Sequence, residues 1–371
     1  MKYEIDAKEK GSFDCIVVGG GIAGVSAAVS AARNGAETLL IEKSVNLGGL
    51  ATNGLVSWYE PLCDGEGHQI IYGLAEELIK LAAKFPFDNL PECWGGKDVS
   101  AKKDGRYATL FSPSYFSLAL DRFVEENGVR IRFDTLSVQP VMKNGICKGV
   151  ICQSADGAEF FRAKSVIDAT GDASVCDRAG IPTVVGENYM TYVVHMYEAK
   201  SYDKLKNGDV CTFRKWEGSG SDLNGNGHPE GMDMLTGVTG DDVTKMMLCG
   251  KRRMLEKLEK RERNSFDIMA LPSMPQFRTI RRIEGDCDFE AIPGKSYSNS
   301  IGKCGDFRPG GKGKVYEIPF GALRNSCVKN IFACGRIISA PAGDPWEVSR
   351  VIPVCALTGE AAGIAAANLT L

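Results

Sequence analysis

Hydrophobic positions near the start of the chain predict a strand, a tight turn, a helix and a second strand. Residues 14–18 form a short apolar run, rich in β-branched side chains, that stops at glycine. Residues 22–34 continue with small side chains at helical spacing, and residues 38–42 form the next apolar run. Two buried strands joined by one helix are typical of a parallel sheet.

A different period follows in the next part of the chain. Three alternating runs lie at residues 138–142, 148–152 and 159–162. They are separated by Asn144-Gly145 and Asp156-Gly157, dipeptides that favour two-residue hairpin turns. We therefore predict a three-stranded antiparallel meander, which leads into another buried strand at residues 165–172.

The remaining pattern predicts further helices and strands around a long polar insertion. Helices are predicted at residues 70–84, 115–127, 241–263 and 354–368, and strands at residues 191–197, 278–286 and 330–335. The glycine cluster at residues 218–227 follows no predicted strand, so we interpret it as a flexible loop and not as a second nucleotide motif. Residues 344–347 are predicted to form another loop.

Composition and charge exclude several classes of function. The 371 residues include 44 basic and 47 acidic side chains, with a formal charge of -3 and no dense Lys/Arg block, so we expect no nucleic-acid partner. Residues 15–32 carry no charge, but four glycines interrupt them, so we expect no membrane span. Residues 1–14 lack the apolar core of a secretory signal, which makes the cytoplasm the expected compartment. The 13 cysteines form no CxxC pair, so no metal site is predicted.

Candidate chemistry is concentrated in Gly19-x-Gly21-x-x-Gly24, which directly follows the first strand and opens the first helix. The first glycine permits the tight turn, the second lets the backbone approach a pyrophosphate, and the third allows close packing of helix on strand. Glu42 ends the second strand, where an acidic side chain accepts hydrogen bonds from ribose hydroxyls. These features predict a dinucleotide site, and they leave NAD and FAD open.

Three blocks of the chain, at residues 14–54, 129–180 and 315–371, resemble the FAD-dependent oxidoreductases of the glutathione-reductase-like, two-dinucleotide-binding flavoprotein superfamily. The resemblance is carried by Leu47-Gly48-Gly49-x-x-Thr52 after Glu42-Lys43, by Ala169-Thr170-Gly171-Asp172 after the meander, and by Thr358-Gly359-x-Ala361-Ala362-Gly363 in the last helix. It implies FAD as the cofactor. Succinate dehydrogenases and fumarate reductases tether FAD through a histidine, and residues 41–57 contain none, so non-covalent FAD is expected.

The resemblance also assigns positions on the cofactor. Val138 matches the position that holds adenine through backbone contacts, Thr52 would lie near the isoalloxazine, and the N-terminus of the last helix would face flavin N1 and O2. The residues implied to bind FAD are Gly19, Gly21, Ile22, Ala23, Gly24, Glu42, Lys43, Gly48, Gly49, Ala51, Thr52, Val138, Thr170, Gly171, Asp172, Gly335, Arg336, Arg350, Val351 and Ile352.

Three side chains are candidates for catalysis. His195 lies on the strand at residues 191–197, where relatives place a sheet that faces the flavin; it is either a proton carrier or a hydrogen-bonded structural histidine. Arg278 begins a basic segment that resembles an active-site segment of relatives, and its guanidinium suits a carboxylate, with a solvated or sheet-packing arginine as the alternative. Arg350 is placed beside the flavin by the resemblance.

The predicted fold class is α/β. A Rossmann-like FAD-binding domain, with a parallel sheet plus the three-stranded antiparallel meander, would carry an inserted sheet-containing α+β substrate domain. Residues 1–60, 115–182 and 315–371 would form the discontinuous FAD-binding domain. Residues 61–114 and 183–314 would form the substrate or cap domain.

The expected function is that of an FAD-dependent oxidoreductase, which transfers hydride between flavin N5 and an unidentified small-molecule substrate. The candidate arginines favour an anionic substrate. Two alternatives stay open: a fumarate-reductase-like ene-reductase, and a flavoprotein electron-transfer subunit of a larger complex. The sequence leaves open the electron donor or acceptor and the use of NAD(P)H, and it is compatible with an oligomer.

Overall fold

Residues 6–85, 108–208 and 210–369 are described by the computed structural model of the protein. They form a mixed α/β fold, as predicted. The strands are β1 (Lys8–Val18), β2 (Thr38–Ile41), β3 (Trp58–Tyr59), β4 (Thr109–Leu110), β5 (Arg130–Arg132), β6 (Leu136–Lys143), β7 (Ile146–Ser154), β8 (Gly157–Asp168), β9 (Thr183–Val185), β10 (Val193–Glu198), β11 (Lys215–Gly218), β12 (Phe266–Ala270), β13 (Arg281–Ile283), β14 (Ser300–Gly305), β15 (Val315–Pro319) and β16 (Ile331–Ala333). The helices are α1 (Ile22–Arg33), α2 (Leu74–Ala83), α3 (Pro113–Glu126), α4 (Ser174–Arg178), α5 (Tyr202–Lys206), α6 (Val210–Phe213), α7 (Gly240–Leu258), α8 (Asp344–Ser349) and α9 (Ile352–Ala367).

The central sheet joins parallel and antiparallel strands through one long strand, β8. Its parallel part has the order β5-β2-β1-β8, and Val17 of β1 pairs with Leu40 on one side and Ile167 on the other. The first half of β8 pairs antiparallel with β7, and its end pairs parallel with β16. The third meander strand and the strand predicted at residues 165–172 are therefore one continuous strand, because β1 pairs along both halves of it.

Both predicted hairpin turns of the meander are confirmed. Asn144 and Gly145 have φ values of 53° and 73° and connect β6 to β7. Positive φ at both central residues is what a type I′ turn requires, and its twist matches that of the flanking strands. Gly157, with φ of 94°, begins β8 after the second turn.

Small residues let α1 and α9 pack closely on one face of the central sheet. A Cβ on Gly359 of α9 would lie 2.1 Å from the carbonyl oxygen of Ala23 in α1. Val17 points into the core on this face, whereas its neighbours Ile16 and Val18 belong to a second core with the meander and α4. The period of two along β1 thus buries both faces of the sheet.

A three-stranded antiparallel sheet, with the order β11-β10-β12, has a core of its own. Val194 and Met196 of β10 share this core with Met246 of α7. The helix lies close to the sheet at Gly250, where an added Cβ would lie 2.5 Å from Cβ of Tyr192. His195 alternates with these residues and therefore points to the opposite face.

The uncharged stretch at residues 15–32 is divided between β1 and α1, with the glycine turn between them. Four glycines in this stretch end the strand and start a packed helix instead of extending one apolar helix. Across the described ranges, none of the helices is both long and apolar enough to cross a membrane.

Three local predictions were wrong. The glycine cluster at residues 218–227 directly follows β11, which the sequence did not reveal because its residues show no apolar alternation. Residues 278–286 contain only the short strand β13, so Arg278 lies outside it. Residues 344–347 begin α8, because Pro345 occupies the first turn, where its missing N–H is not needed.

Candidate active site

The glycine motif forms the turn between β1 and α1. Gly19 has φ of 103°, and its N–H donates to the carbonyl oxygen of Ile41 at 2.8 Å, which joins the turn to β2. An added Cβ on Gly19 would lie 2.5 Å from the carbonyl oxygen of Ala169. Both the positive φ and this approach of two backbones require glycine.

Gly24 and Gly21 are glycines for different reasons. A Cβ on Gly24 would lie 1.8 Å from the carbonyl oxygen of Gly19, so the packing of α1 on the turn excludes a side chain there. A Cβ on Gly21 would meet no protein atom within 4 Å, and Gly21 has φ of -65°, which any residue adopts. The protein's own packing does not require glycine at position 21, but a ligand lying against this backbone would.

Glu42 lies beside the same turn and is 8% exposed. Its Oε2 accepts a hydrogen bond from the N–H of Gly20 at 2.6 Å, and its Oε1 accepts one from the N–H of Ser44 at 2.8 Å. Each carboxylate oxygen can accept more than one hydrogen bond, so both stay able to accept from ribose hydroxyls. The carboxylate is fixed in position before any ligand binds.

A second turn follows the end of β8. The buried carboxylate of Asp168 accepts hydrogen bonds from the N–H of Thr170 at 3.0 Å, from its hydroxyl at 2.6 Å and from the N–H of Cys176 at 2.8 Å. Burial raises the pKa of Asp168, and these hydrogen bonds oppose the rise. The bonds fix the turn at Gly171, which has φ of 76°.

The two turns, the loop after β2 and the N-terminus of α9 enclose a cavity of about 360 Å³. Most residues predicted to bind FAD line it. They are Gly19, Gly21, Ile22, Ala23, Glu42, Lys43, Gly48, Gly49, Ala51, Thr170, Gly171, Asp172, Gly335, Arg336, Arg350 and Ile352. The structure therefore brings the three separated blocks of the sequence to one place.

The other residues predicted to bind FAD are outside the lining. They are Gly24, Thr52, Val138 and Val351. Thr52 is buried, and its hydroxyl donates to the carbonyl oxygen of Leu47 at 2.5 Å. Val138 is 44% exposed on β6, whereas the residues at 135–137 line the cavity. Contacts of these four residues with FAD stay predictions.

One wall of the cavity comes from residues 273–275, between β12 and β13, which the sequence analysis did not connect with the cofactor. The N–H of Ser273 donates to the carbonyl oxygen of Asn53 at 2.9 Å, and the Gln276 amide donates to that of Gly54 at 2.7 Å. These bonds join the wall to the loop after Gly49. The segment, Ser273-Met274-Pro275, has no charged side chain and no motif that could have identified it.

Arg336 lines the cavity and also connects two of its walls. Its Nε donates to the carbonyl oxygen of Gly171 at 2.8 Å, and its Nη1 donates to that of Phe277. The guanidinium therefore joins the turn after β8 to the segment after β12. A contact of Arg336 with FAD is predicted from the sequence, whereas this bridging role is not.

Arg350 and Glu60 lie beside the N-terminus of α9. Arg350 lines the cavity, its guanidinium lies 4.7 Å from the centre of the Trp346 ring, and its buried Nε has no hydrogen-bond partner within the described ranges. Oε2 of Glu60 accepts a hydrogen bond from the N–H of Ile352 at 3.3 Å. Burial raises the pKa of Glu60 to about 7, although the Ile352 N–H and the charge of Arg350 act to lower it. Glu60 was not among the residues predicted from the sequence. The available signal was an acidic residue directly after the two aromatic residues of β3.

His195 is 2% exposed and does not line the cavity. Its Nε2 lies 3.0 Å from the carbonyl oxygen of Leu55, and the ring stacks on Trp216. Because a carbonyl only accepts, Nε2 carries a proton. Burial lowers the pKa of His195 to about 4, and the nearby charge of Arg214 adds to the effect. These contacts favour the structural alternative, and a catalytic role stays a prediction.

Arg278 also lies outside the lining. Its guanidinium donates to the carbonyl oxygens of Asp222 at 3.1 Å and Ser221 at 3.4 Å. Burial lowers the pKa of Arg278, and the charge of Arg350 lowers it further. Arg278 therefore adds positive potential near Arg350 while its own donors are directed to backbone.

Comparison with known proteins gives one family over most of the chain. Residues 14–218 and 293–370 match the family described as FAD dependent oxidoreductase. A digeranylgeranylglycerophospholipid reductase of Methanoculleus marisnigri is 28% identical in an alignment of 184 positions that covers 47% of this chain and 43% of the relative. A tRNA uridine 5-carboxymethylaminomethyl modification enzyme of Bacillus mycoides is 29% identical in an alignment of 171 positions that covers 43% of this chain and 24% of the relative. The matches thus span less than half the length of either curated relative.

Among solved structures, the fold is similar to that of p-nitrophenol 4-monooxygenase from Pseudomonas putida. The TM-score is 0.50 at 13% identity, and the similarity covers 97% of this chain and 81% of that one. At this identity the similarity supports the fold alone.

Proposed function

Because the chain belongs to the family of FAD dependent oxidoreductases, its cofactor is FAD, and we propose that it acts on a small anionic molecule. FAD would supply hydride transfer at its N5 atom. The observation that carries the choice of substrate is Arg350, whose buried Nε–H has no partner while its side chain lines the cavity. A buried donor without a partner is unfavourable, and a carboxylate is the best match for a guanidinium.

The cavity residues fit FAD in a definite orientation. Gly21 leaves its backbone open to a pyrophosphate, and the free N–H groups at the N-terminus of α1 would bind the phosphates. Glu42 would bind the ribose, with Lys43 beside it. The N-terminus of α9 would be at the flavin end, where Ile352 lines the cavity.

We also propose that FAD is bound without a covalent link. Histidine is absent from the described lining of the cavity, and His195 is held by Leu55 instead. The finer placement in the glutathione-reductase-like superfamily is supported by β8, which is shared by the parallel sheet and the meander.

Residues 183–314 would form the larger part of a substrate domain, as the sequence predicts. The separate core around α7 and β10 supports this division. The smaller segment predicted for this domain is residues 61–114, and its residues 86–107 lie outside the described residues. In this arrangement, residues 273–275 would be where the substrate domain meets the cofactor.

The test is an anaerobic titration of the purified holoprotein, followed by flavin absorbance, with NADH, NADPH and a panel of small acids that includes fumarate. We expect one acid to reduce the flavin or to reoxidise it after chemical reduction. The Arg350→Gln variant should need about tenfold or more of that acid, because a charge-assisted hydrogen bond is lost. Arg162→Gln, on an exposed arginine that pairs with Glu9, is the matched control and should behave as the wild type.

Other results would lead to different conclusions. Reoxidation by fumarate alone would favour the ene-reductase. Stable association with a second protein and no reaction with any small molecule would overturn the proposal in favour of an electron-transfer subunit. An equal effect of the Arg350 and Arg162 variants would remove the argument for an anionic substrate.

A further inference from the structure

The surroundings of Arg350 are built to receive a negative charge. Its guanidinium is stacked on Trp346, its Nε is buried without a partner in the described part of the chain, and Arg278 adds a second positive charge nearby. Burial lowers the pKa of Arg350, which means that the nearby negative charges do not fully offset the cost of burying its positive charge. An anion that enters the cavity would supply it.

Glu60 is an acidic group whose charge acts on Arg350, although Glu60 does not itself line the cavity. It follows β3 directly, and its position is fixed because Tyr59 is fully buried and donates its hydroxyl to the carbonyl oxygen of Ala75 at 2.6 Å. The Glu60 carboxylate accepts from the first N–H of α9. Glu60 therefore competes with any incoming anion for the same positive environment.

Other charged and titratable groups also lie around the pair. Glu347 also acts on Arg350, but Arg308 holds it at 3.0 Å. The Cys355 thiol donates to the carbonyl oxygen of Arg350 at 3.3 Å, and burial raises its pKa to about 12, so it stays protonated. Burial also raises the pKa of the Tyr59 hydroxyl well above its usual value. Arg278 and Arg336 stay positive, both bound to backbone carbonyls.

We propose that Glu60 and Arg350 form a proton-coupled anion site, in which a small carboxylate binds Arg350 while Glu60 takes up one proton from solvent. This inference rests on the proposed function, because it takes the anion to be the substrate. Two carboxylates near one guanidinium repel each other in a buried site, and protonation of Glu60 removes that repulsion. The only bond formed is the O–H bond of Glu60, whose proton comes from solvent, and this proton offsets one negative charge of the entering anion.

The coupling makes anion binding depend on pH. With the anion bound, the carboxyl group of Glu60 holds a proton beside the N-terminus of α9, outside the cavity lining but hydrogen-bonded to Ile352, which is part of that lining. Above the pKa of Glu60 in the free protein, each unit of pH should weaken anion binding by roughly tenfold, because one proton must be taken up. Below that pKa, binding should not depend on pH.

The experiment uses the FAD-loaded protein with oxalate as the probe, whose charge is constant above pH 6. The dissociation constant is measured from the flavin difference spectrum between pH 6 and 9, and proton uptake from calorimetry in two buffers of different ionisation enthalpy. We expect the wild type to lose roughly tenfold in affinity per pH unit above about pH 7 and to take up close to one proton at pH 8. Neither measurement depends on turnover.

Variants separate Glu60 from its neighbours. Glu60→Gln should bind oxalate with an affinity that is independent of pH and without proton uptake, and its FAD content should equal that of the wild type. Glu347→Gln is the matched control, since Glu347 also acts on Arg350 but is bound by Arg308; it should keep the slope. Arg350→Gln should abolish oxalate binding at every pH.

A wild-type affinity that does not change with pH, or a slope that persists in Glu60→Gln, would overturn the proton coupling and leave the proposed function standing. Absence of oxalate binding to the wild type would overturn the anion site itself. If instead no compound in the titration panel exchanges electrons with the protein, the proposed function fails, while the oxalate measurements keep their meaning.

Discussion

In two layers of the molecule a helix packs closely on strands through a glycine: α1 on the central sheet, the nucleotide layer, and α7 on the sheet β11-β10-β12, the outer layer. The two layers differ in which contacts position their side chains. In the nucleotide layer, Gly24 of α1 packs on the turn after β1, only five residues away from Gly19. In the outer layer, Gly250 of α7 packs on Tyr192 of β10. The first contact is between backbone atoms close in sequence, and the second is between elements far apart. Local backbone constraints can be read from a sequence, whereas distant side-chain contacts cannot.

The largest effect is expected from Gly24→Ala. The new methyl group would overlap the carbonyl oxygen of Gly19, a backbone atom that cannot move without opening the turn, so the loss of stability should be about 4 kcal/mol or more. Urea unfolding measures this loss, and the flavin content of the purified variant should fall as well. A variant with wild-type stability would contradict the packing described for α1.

A smaller effect, about 1 to 3 kcal/mol, is expected from Gly250→Ala. Its methyl group would meet the Tyr192 side chain, which can shift more easily than backbone. The flavin content of Gly250→Ala should stay at the wild-type level, because α7 does not line the cavity. Loss of FAD from this variant would mean that the two layers do not act separately.

The acid stability of the outer layer should depend on His195, with an effect of about 1 to 2 kcal/mol. The pKa of His195 in the folded protein is about 4, below the usual value of 6.5, so the folded state binds fewer protons between these values. The contribution of neutral His195 to the free energy of unfolding is therefore fully present above pH 6.5, and it is lost as the pH falls towards 4.

Thermal unfolding of His195→Gln measures this dependence. Glutamine keeps an N–H donor for Leu55 but cannot titrate, so its melting temperature should fall less than that of the wild type between pH 7 and pH 4.5. His68→Gln, on a histidine whose side chain is 76% exposed, is the control and should follow the wild type. Equal acid sensitivity of His195→Gln and the wild type would disprove the assignment.

The difference between local backbone constraints and contacts of distant residues explains which features could be predicted from the sequence. The glycine turn and the hairpin at Asn144-Gly145 were predicted correctly because each is a short backbone requirement written in neighbouring residues. The strand β11 was missed and the strand predicted at residues 278–286 was too long, because the pairing of β11 and β13 with other strands, and not their composition, sets where they begin and end. Whether Val138 or its neighbours face the cofactor depends on how β6 sits at the edge of the sheet, which a pattern with a period of two does not specify.

The part of the candidate site that the glycine turns form could be predicted from the sequence, and the part around residues 273–275 and Glu60 could not. Ser273 of the cavity wall is hydrogen-bonded to Asn53, and Glu60, which lies outside the lining, is hydrogen-bonded to Ile352; each bond joins residues more than two hundred positions apart in sequence. Arg350 was found only through the resemblance to relatives, and its unpaired Nε could not be known from sequence. Side chains brought together from distant parts of the chain leave no spacing to recognise.

The most direct test of the account is the flavin content of the wild type and of Gly21→Ala, measured by absorbance of the supernatant after acid denaturation. We predict that the wild type releases equimolar FAD and that Gly21→Ala, whose methyl group meets no protein atom, folds with wild-type stability but retains little FAD. A colourless wild type that cannot be reconstituted, flavin that stays with the precipitated chain, or full FAD content in Gly21→Ala would contradict the site described here.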